Sequence, residues 1–345
     1  MGLREIARRL GLSRSTVSLA LQGSPRTAEA TRRRVQAAAM KLGYRPNPHL
    51  VAAMSRLRAS RVGGPVACFG VISFYDTPHP WEKLPHLPRI HQAMQQRAGQ
   101  LGYRLEPIWL RAPGMTYRRV RTILKARGIQ GLLCFGSPEV DQEFPAELDE
   151  FAIVTLGQSI RTQLHRVTSH FFRDTWRTLE RVHARGYRRP GLVLGHYDDV
   201  RSGHECAGAY FGWCAQHLGS AAAMSILRLG GVEPAPLLAW IKAERPDVLV
   251  FVHLSSAIPE LHAILNANRI RVPEDLGVAV VSQVIEQTKF SGMQQNQQLM
   301  GTWAVELLAA RIVHLDLGIP SHPRIELVES EWLDQASLRA PVRKL

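Results

Sequence analysis

Cysteine is scarce in this chain: four residues in 345, Cys68, Cys134, Cys206 and Cys214, with no two of them forming a CxxC. That scatter disfavours a disulfide scaffold and a cysteine-based zinc module, and it points to reduced thiols in a cytoplasmic protein. Long apolar runs are missing too. None approaches the roughly 18–20 residues that a membrane span requires, and the opening MGLREIARRL has no apolar export signal. The 14 histidines come without an HExxH or a closely spaced Cys/His set, so no metal site is expected, and "HEC" at 204–206 is a chance-grade match. No G-x-S-x-G elbow supports a hydrolase, and no glycine-rich loop follows the first candidate strand to cradle a nucleotide. No catalytic residue and no cofactor are therefore expected. What remains, 45% hydrophobic and 21% charged, is ordinary globular composition with length for two or three domains.

Acids are what the front of the chain lacks. Residues 1–62 hold thirteen Lys and Arg against two acids, Glu5 and Glu29, leaving +11, while the other 283 residues hold thirty bases and twenty-seven acids. The formal net charge of +14 thus sits mostly in one short segment. This is the footprint of a polyanion-binding module joined to a nearly neutral body. A basic tail serving solubility or a membrane surface carries no internal pattern, and this segment is patterned.

Leu3, Ile6, Ala7 and Leu10 recur at helical spacing until Gly11 breaks the run. Ser13 is placed to cap a second helix, Arg14–Leu21, whose Val17, Ala20 and Leu21 face inward. Gln22-Gly23-Ser24-Pro25 is turn chemistry. A third helix over Ala28–Leu42 buries Val35, Ala38, Ala39 and Leu42 and stops at Gly43. Two helices across a tight glycine turn, with a third completing a small core, predict a helix-turn-helix domain.

On these residues the chain resembles the lactose-repressor family of bacterial transcription regulators. The ordered blocks STVS (15–18), TRRRV (31–35) and LGYRPN (42–47) carry the resemblance. The second helix then offers Ser13, Arg14, Ser15, Thr16, Ser18 and Leu19 to the major groove. Arg14 is the best candidate for a bidentate contact to guanine, worth roughly 1–3 kcal/mol of discrimination. Thr16 and Ser18, with Thr31, Arg32, Arg33 and Arg34, suit phosphates, which position the domain without reading sequence. Singly, any of these arginines reads equally well as a solvated helix face. Leu3, Arg4, Gln22, Arg26, Tyr44, Asn47 and Leu50 complete the expected DNA-facing set. Leu19 stands where the family commonly has Arg, which predicts a different operator preference. The resemblance implies a helix-turn-helix domain over residues 1–45 and a hinge over 46–64 that wedges an apolar side chain into the minor groove. The wedge position falls on Ala53, with Met54 beside it, and either can serve.

Behind the hinge, apolar runs alternate with amphipathic helices. Candidate strands are Val66–Phe74, Arg104–Leu110, Gly131–Phe135, Ile153–Leu156, Gly191–Leu194, Val248–Val252 and Val278–Val281. Leu87–Leu101, Tyr117–Arg127, Thr175–Arg185, Gly208–Leu218 and Ala257–Asn268 are candidate helices between them. Apolar strands separated by helices predict parallel α/β sheets buried on both faces. The resemblance extends here more loosely, through "ILKARGIQGLLCFGS", "ERPDVLVFV" and "RIRVPEDLGVAVVS". It implies a two-lobed, periplasmic-binding-protein-like effector and dimerisation domain over 65–345, with the chain crossing between lobes near 158–162, 284–290 and 318–322. Candidate effector contacts are Tyr75, Asp76, Trp81, Arg201, His253, Ser282 and Gln283, each near a strand C-terminus where α/β crevices bind ligands. The family's polar set is altered, however. Its Asn-Asp pair falls on His253-Leu254, its Asp on Ser282, and its Arg near Gly208 on Glu205.

The resulting expectation is a cytoplasmic, homodimeric, sequence-specific regulator that binds double-stranded operator DNA and is controlled by an unidentified small-molecule effector, sugar-like by analogy. Repression is the default by the same analogy. A nonspecific DNA-binding protein with a degenerate cleft is the first alternative, and a cytoplasmic small-molecule binding protein is the second.

Overall fold

The computed structural model describes residues 3–21, 27–42, 67–139, 141–219, 225–230, 233–252, 258–284 and 289–341. The front module is three helices, α1 (Leu3–Leu10), α2 (Arg14–Leu21) and α3 (Glu29–Lys41). Ile6, Ala7, Val17, Ala20, Val35 and Ala39 are buried between them, with Leu10, Leu12, Leu21, Ala38 and Leu42 packed around the edge. These are the residues that the helical spacing selects. Gly11 takes the turn between α1 and α2 at φ +65°, a conformation that costs glycine no Cβ clash.

The body contains two six-stranded sheets of matching topology. The first joins β1 (Ala67–Ser73), β2 (Tyr103–Trp109), β3 (Gly131–Cys134), β4 (Ala152–Leu156), β5 (His165–Ser169) and β11 (Ile325–Val328) in the order β11-β5-β4-β3-β1-β2. The second joins β6 (Pro190–Gly195), β7 (Leu227–Leu229), β8 (Val248–Val252), β9 (Gly277–Gln283), β10 (Ser291–Gln294) and β12 (Glu331–Leu333) in the order β12-β10-β9-β8-β6-β7. All pairings are parallel except β10 with β12. Strands such as VLVFV and AIVTL are buried along their whole length, because helices cover both faces of each sheet. In the first lobe α4 (Pro88–Gln100) and α11 (Gln297–His314) cover one face, and α5 (Tyr117–Ala126) covers the other. In the second lobe, α6 (Phe171–His183) and α8 (Glu205–His217) lie opposite α9 (Pro234–Glu244) and α10 (Ile258–Ala267), and a short α7 (His196–Arg201) follows β6. Among the described residues no helix is long and apolar enough to cross a membrane.

Several elements differ from the sequence expectation. Helix α6 begins at Phe171 and α8 at Glu205, three to four residues before the apolar periodicity shows. Strand β5 reads HRVTS and offers little apolar signal, yet all five residues are buried. Two of its polar side chains find partners: the Arg166 guanidinium donates to the carbonyls of Leu164, Ile160 and Thr162, and His165 Nδ1 accepts from Arg324 N at 2.9 Å, while Thr168 Oγ1 is buried without one. Because β5 pairs with β4 in the first sheet, the chain does not leave that lobe near 158–162. Strands β9 and β10, on either side of 284–290, belong to the same second sheet, and residues 318–322 lie between α11 and β11 of the first lobe. The crossings instead fall at His170, at Gln295-Asn296 and at Glu329-Ser330, between the last strand or helix of one lobe and the first of the other.

A buried carboxyl joins two of these crossings. Asp174, in the first turn of α6, accepts a 2.5 Å hydrogen bond from Ser330 Oγ. Burial raises its pKa from 3.8 to about 6, against the lowering effects of Ser330, His170 and Arg177. A carboxyl that holds its proton more tightly when folded stabilises the fold at low pH, and that contribution fades as pH rises through the folded value. Asp174→Asn should therefore flatten the stability profile between about pH 4 and 7 and raise stability at pH 8 by on the order of 2–3 kcal/mol. Denaturant titrations across that range test this, and an unchanged slope would refute it.

Candidate functional site

Two sites emerge, one in the front module and one between the lobes. In the front module Ser13 caps α2 as the spacing predicts: its Oγ accepts from Thr16 N at 3.0 Å and lies 2.8 Å from Thr16 Oγ1. The Thr16 hydroxyl is thus paired within the turn. Several of the basic side chains are already neutralised along their own helices. Arg8 and Arg9 pair with Glu5 at 2.9 and 3.0 Å, which holds the Glu5 carboxyl below the usual range, and Arg33 pairs with Glu29. Arg34 is exposed and Thr31 half-buried on α3. Leu3 and Arg4 lie on α1 and Arg14, Ser15, Ser18 and Leu19 on α2, with their side chains outside the described set. Gln22, Arg26, Tyr44, Asn47, Leu50, Ala53 and Met54 fall outside the described residues.

Between the lobes lies a cleft of about 360 Å³ at the carboxyl ends of both sheets. Tyr75 follows β1, Phe135 follows β3, Thr168 ends β5, Arg201 and Ser202 follow β6, and Ser282 ends β9. These are the positions beside the strand-order reversal where doubly wound sheets open a crevice. The walls are largely apolar, with Leu84, Leu87, Ile90, Leu156, Phe171 and Met300 among them. Ser282 is fully buried at φ +64°, a strained backbone for a residue with a side chain, of the kind that concentrates at functional sites. Its Oγ has no partner, and neither has Thr168 Oγ1 on the opposing lobe.

Of the expected effector contacts, the structure brings Tyr75, Arg201 and Ser282 onto the cleft wall. Asp76 is not there: its side chain is 92% exposed and pairs with Arg111 at 3.1 Å. Trp81 stacks flat on His91, centroids 3.8 Å apart, and sits behind Phe135 as a support. The packed His91 ring is held neutral, its pKa pushed down to about 4 by burial and by His79. Gln283 turns away and donates to the Phe290 carbonyl at 3.1 Å. His253 lies outside the described residues. Thr168, Phe135 and Asp198 are cleft residues that the sequence reading missed. Asp198 alone had a signal, in the acidic pair after "GLVLGHY".

Glu205 does not face a ligand position at all. Its carboxylate accepts from Gln158 Nε2 of the first lobe at 3.0 Å and from Phe172 N at 3.3 Å. One helical turn earlier Arg201 donates to the Pro138 carbonyl, also of the first lobe. The two side chains latch the lobes together beside the cleft. Among the described residues no group of three His, Cys, Asp or Glu could hold a metal.

Comparison with known proteins follows this geometry. Residues 2–47 match the model for bacterial regulatory proteins of the lacI family, and residues 179–332 match the periplasmic binding protein-like domain. No curated protein sequence matches the chain. Among solved structures, a cellobiose complex of the transcriptional regulator CelR superposes with TM-score 0.61 at 20% identity, covering 98% of this chain and 99% of that one. The lac repressor dimer bound to operator and the anti-inducer ONPF gives 0.60 at 17%, covering 99% of each chain. The regulator CcpA of Lactococcus lactis gives 0.58 at 13%, covering 79% of this chain and 100% of that one. At these identities the likeness is one of fold.

Ser13→Ala should cost about 1 kcal/mol of local stability and speed hydrogen exchange of the first amides of α2, as mass spectrometry of residues 12–21 would report. Glu205→Ala should speed exchange at Phe172 and in the 157–159 loop while leaving the β8 and β9 amides protected. Unchanged exchange at Phe172 would show that the latch is not holding the lobes.

Proposed function

Because the chain belongs to the lacI family of bacterial regulatory proteins, with that family's DNA-binding domain in front and a periplasmic binding protein-like domain behind, we propose that it is a dimeric, sequence-specific transcription regulator. Its operator affinity is set by a small molecule held between the lobes. The observation that carries this reading is the conjunction of a capped recognition helix on a basic three-helix module with an interlobe cleft whose opposing walls hold unpartnered, fully buried hydroxyls. A structural α/β pair has no use for those orphans, since leaving a polar group buried and unpaired costs free energy. A ligand that reaches both lobes would satisfy them.

A symmetric dimer presents two recognition helices, so its operator is a pseudo-palindrome with half-sites about one helical turn apart or a multiple of it. Arg14 is assigned to a base edge and Ser18, Thr31 and Arg34 to phosphates. The Ala53–Met54 segment of the hinge is assigned to the minor groove. The ligand changes operator affinity to the extent that it binds the two lobe arrangements unequally. Repression is the regulatory sign that the lac repressor neighbour supports, a structure that contains operator. The protein works where its DNA is, in the cytoplasm, and carries no catalytic step.

Selection of bound duplexes from a random library at two salt concentrations tests this. A palindrome recovered at both salts is the expected result, and Arg14→Ala should relax one base position per half-site at a cost of roughly 1–3 kcal/mol. Affinity that falls equally steeply with salt on every sequence, with no palindrome, would replace the regulator by a nonspecific DNA-binding protein.

A further inference from the structure

The cleft wall holds buried polar groups without partners. Thr168 Oγ1 and Ser282 Oγ are buried without partners on opposite lobes, and Arg201 Nε is buried without one beside them. Most other polar groups on the wall are already engaged. Gln158 donates to Glu205, Ser159 Oγ accepts from Ser137 N, Ser137 Oγ accepts from Glu139 N, and Ser202 Oγ donates to the Asp199 carbonyl. Each hydroxyl can donate one proton and also accept, Arg201 Nε can only donate, and among the described wall residues Asp198 is the one carboxylate.

From this inventory we infer that the cleft takes a small monocarboxylic acid with an apolar, ring-sized body, and this rests on reading the cleft as the effector site. A carboxylate has two oxygens and no proton to give, so it can accept from two hydroxyls and a guanidinium at once, and the charged bonds to Arg201 are the stronger kind. Its body lies against Tyr75, Phe135 and Phe171. A polyhydroxylated sugar is the poorer fit: its hydroxyls outnumber the few open polar groups of the wall, and those left unpaired in an apolar cleft weaken binding. The acid spans the gap between Thr168 and Ser282, so it would draw on both lobes.

The test uses the full-length protein and three acids, benzoate, phenylacetate and cyclohexanecarboxylate, with methyl benzoate, glucose and cellobiose alongside, by titration calorimetry. Saturable binding of at least one acid is expected, with methyl benzoate at least tenfold weaker than benzoate and no heat from either sugar. Thr168→Val and Ser282→Ala should each weaken the acid tenfold or more. Arg201→Gln should do the same, and because Arg201 also latches the lobes, the two hydroxyl variants carry the decision if it fails to fold. The inference is overturned if none of the acids binds, if glucose or cellobiose binds in their place, or if the acids bind Thr168→Val and Ser282→Ala as tightly as the parent. Duplex selection separates the two levels. A palindrome without acid binding leaves the regulator standing and removes the acid, while acid binding without a palindrome does the reverse.

Discussion

The body depends on one constraint: each lobe has its own hydrophobic core on each face of its own sheet, and the described chain passes between them at three short crossings. Among the described residues no apolar cluster spans both lobes. Among the described residues, polar contacts join them further: Asp174 with Ser330 and Arg173 and Arg177 with Glu329 at one crossing, and Arg201 with Pro138 and Glu205 with Gln158 beside the cleft. Hydrogen bonds of this sort contribute on the order of 1 kcal/mol each, whereas a single buried Leu or Phe contributes roughly 1.5–3 kcal/mol to the lobe that contains it. The lobes are therefore far more resistant to internal change than their relative placement is. A scaffold so divided is suited to hinge closure around a ligand.

The same division explains where chemistry can sit. Parallel strands buried on both faces leave only their ends for function, and in each lobe the order reverses beside its first strand. Two such ends facing one another make the cleft, so cleft residues come from several different strand termini and share no motif. Rigidity behind them is built in. Trp81 and His91 stack behind Phe135, and Arg111 ties Asp76 to Glu139 beside the loop whose Pro138 carbonyl receives Arg201. Close helix packing does the same at longer range, since Gly301 lets α11 approach the Ile90 carbonyl of α4 where any Cβ would collide.

How much of this was legible in the sequence follows from what each residue advertises. The front module was read nearly residue by residue because three short helices with one shared core leave a strict apolar period, and because Ser13 is a strong cap. Strands β1, β3, β4, β8 and β9 were legible as apolar runs. Strand β5 was not, because its polar His165 and Ser169 meet partners 159 and 131 residues away, which no local window contains, while Thr168 is buried at the cleft without one. Missing β5 moved the first crossing, and with it the lobe boundary. Asp76 and Trp81 were misplaced for a related reason: proximity to a strand end does not say whether a side chain points into the crevice, outward to Arg111, or back onto His91.

Fold and ligand chemistry separate most clearly at Ser282 and Glu205. The resemblance places a carboxylate at the first and a guanidinium at the second. Here a hydroxyl stands in the strained position at the end of β9, where it can donate, and a carboxylate stands on α8, where it reaches across to Gln158 instead of into the cleft. One exchange removes an acceptor from the wall, and the other turns a ligand position into a bond between lobes. Neither disturbs the sheets, since both residues lie beyond the packed strand interiors. The scaffold is thus retained while the complement it presents changes, one acceptor and one donor being lost from the wall, and fold likeness at 20% identity or below carries no information about that complement. A ligand that favours one lobe arrangement must add its bonds to those the latch already makes. Any leverage of such a ligand is therefore limited to the difference between its contacts with the two lobes in the two arrangements.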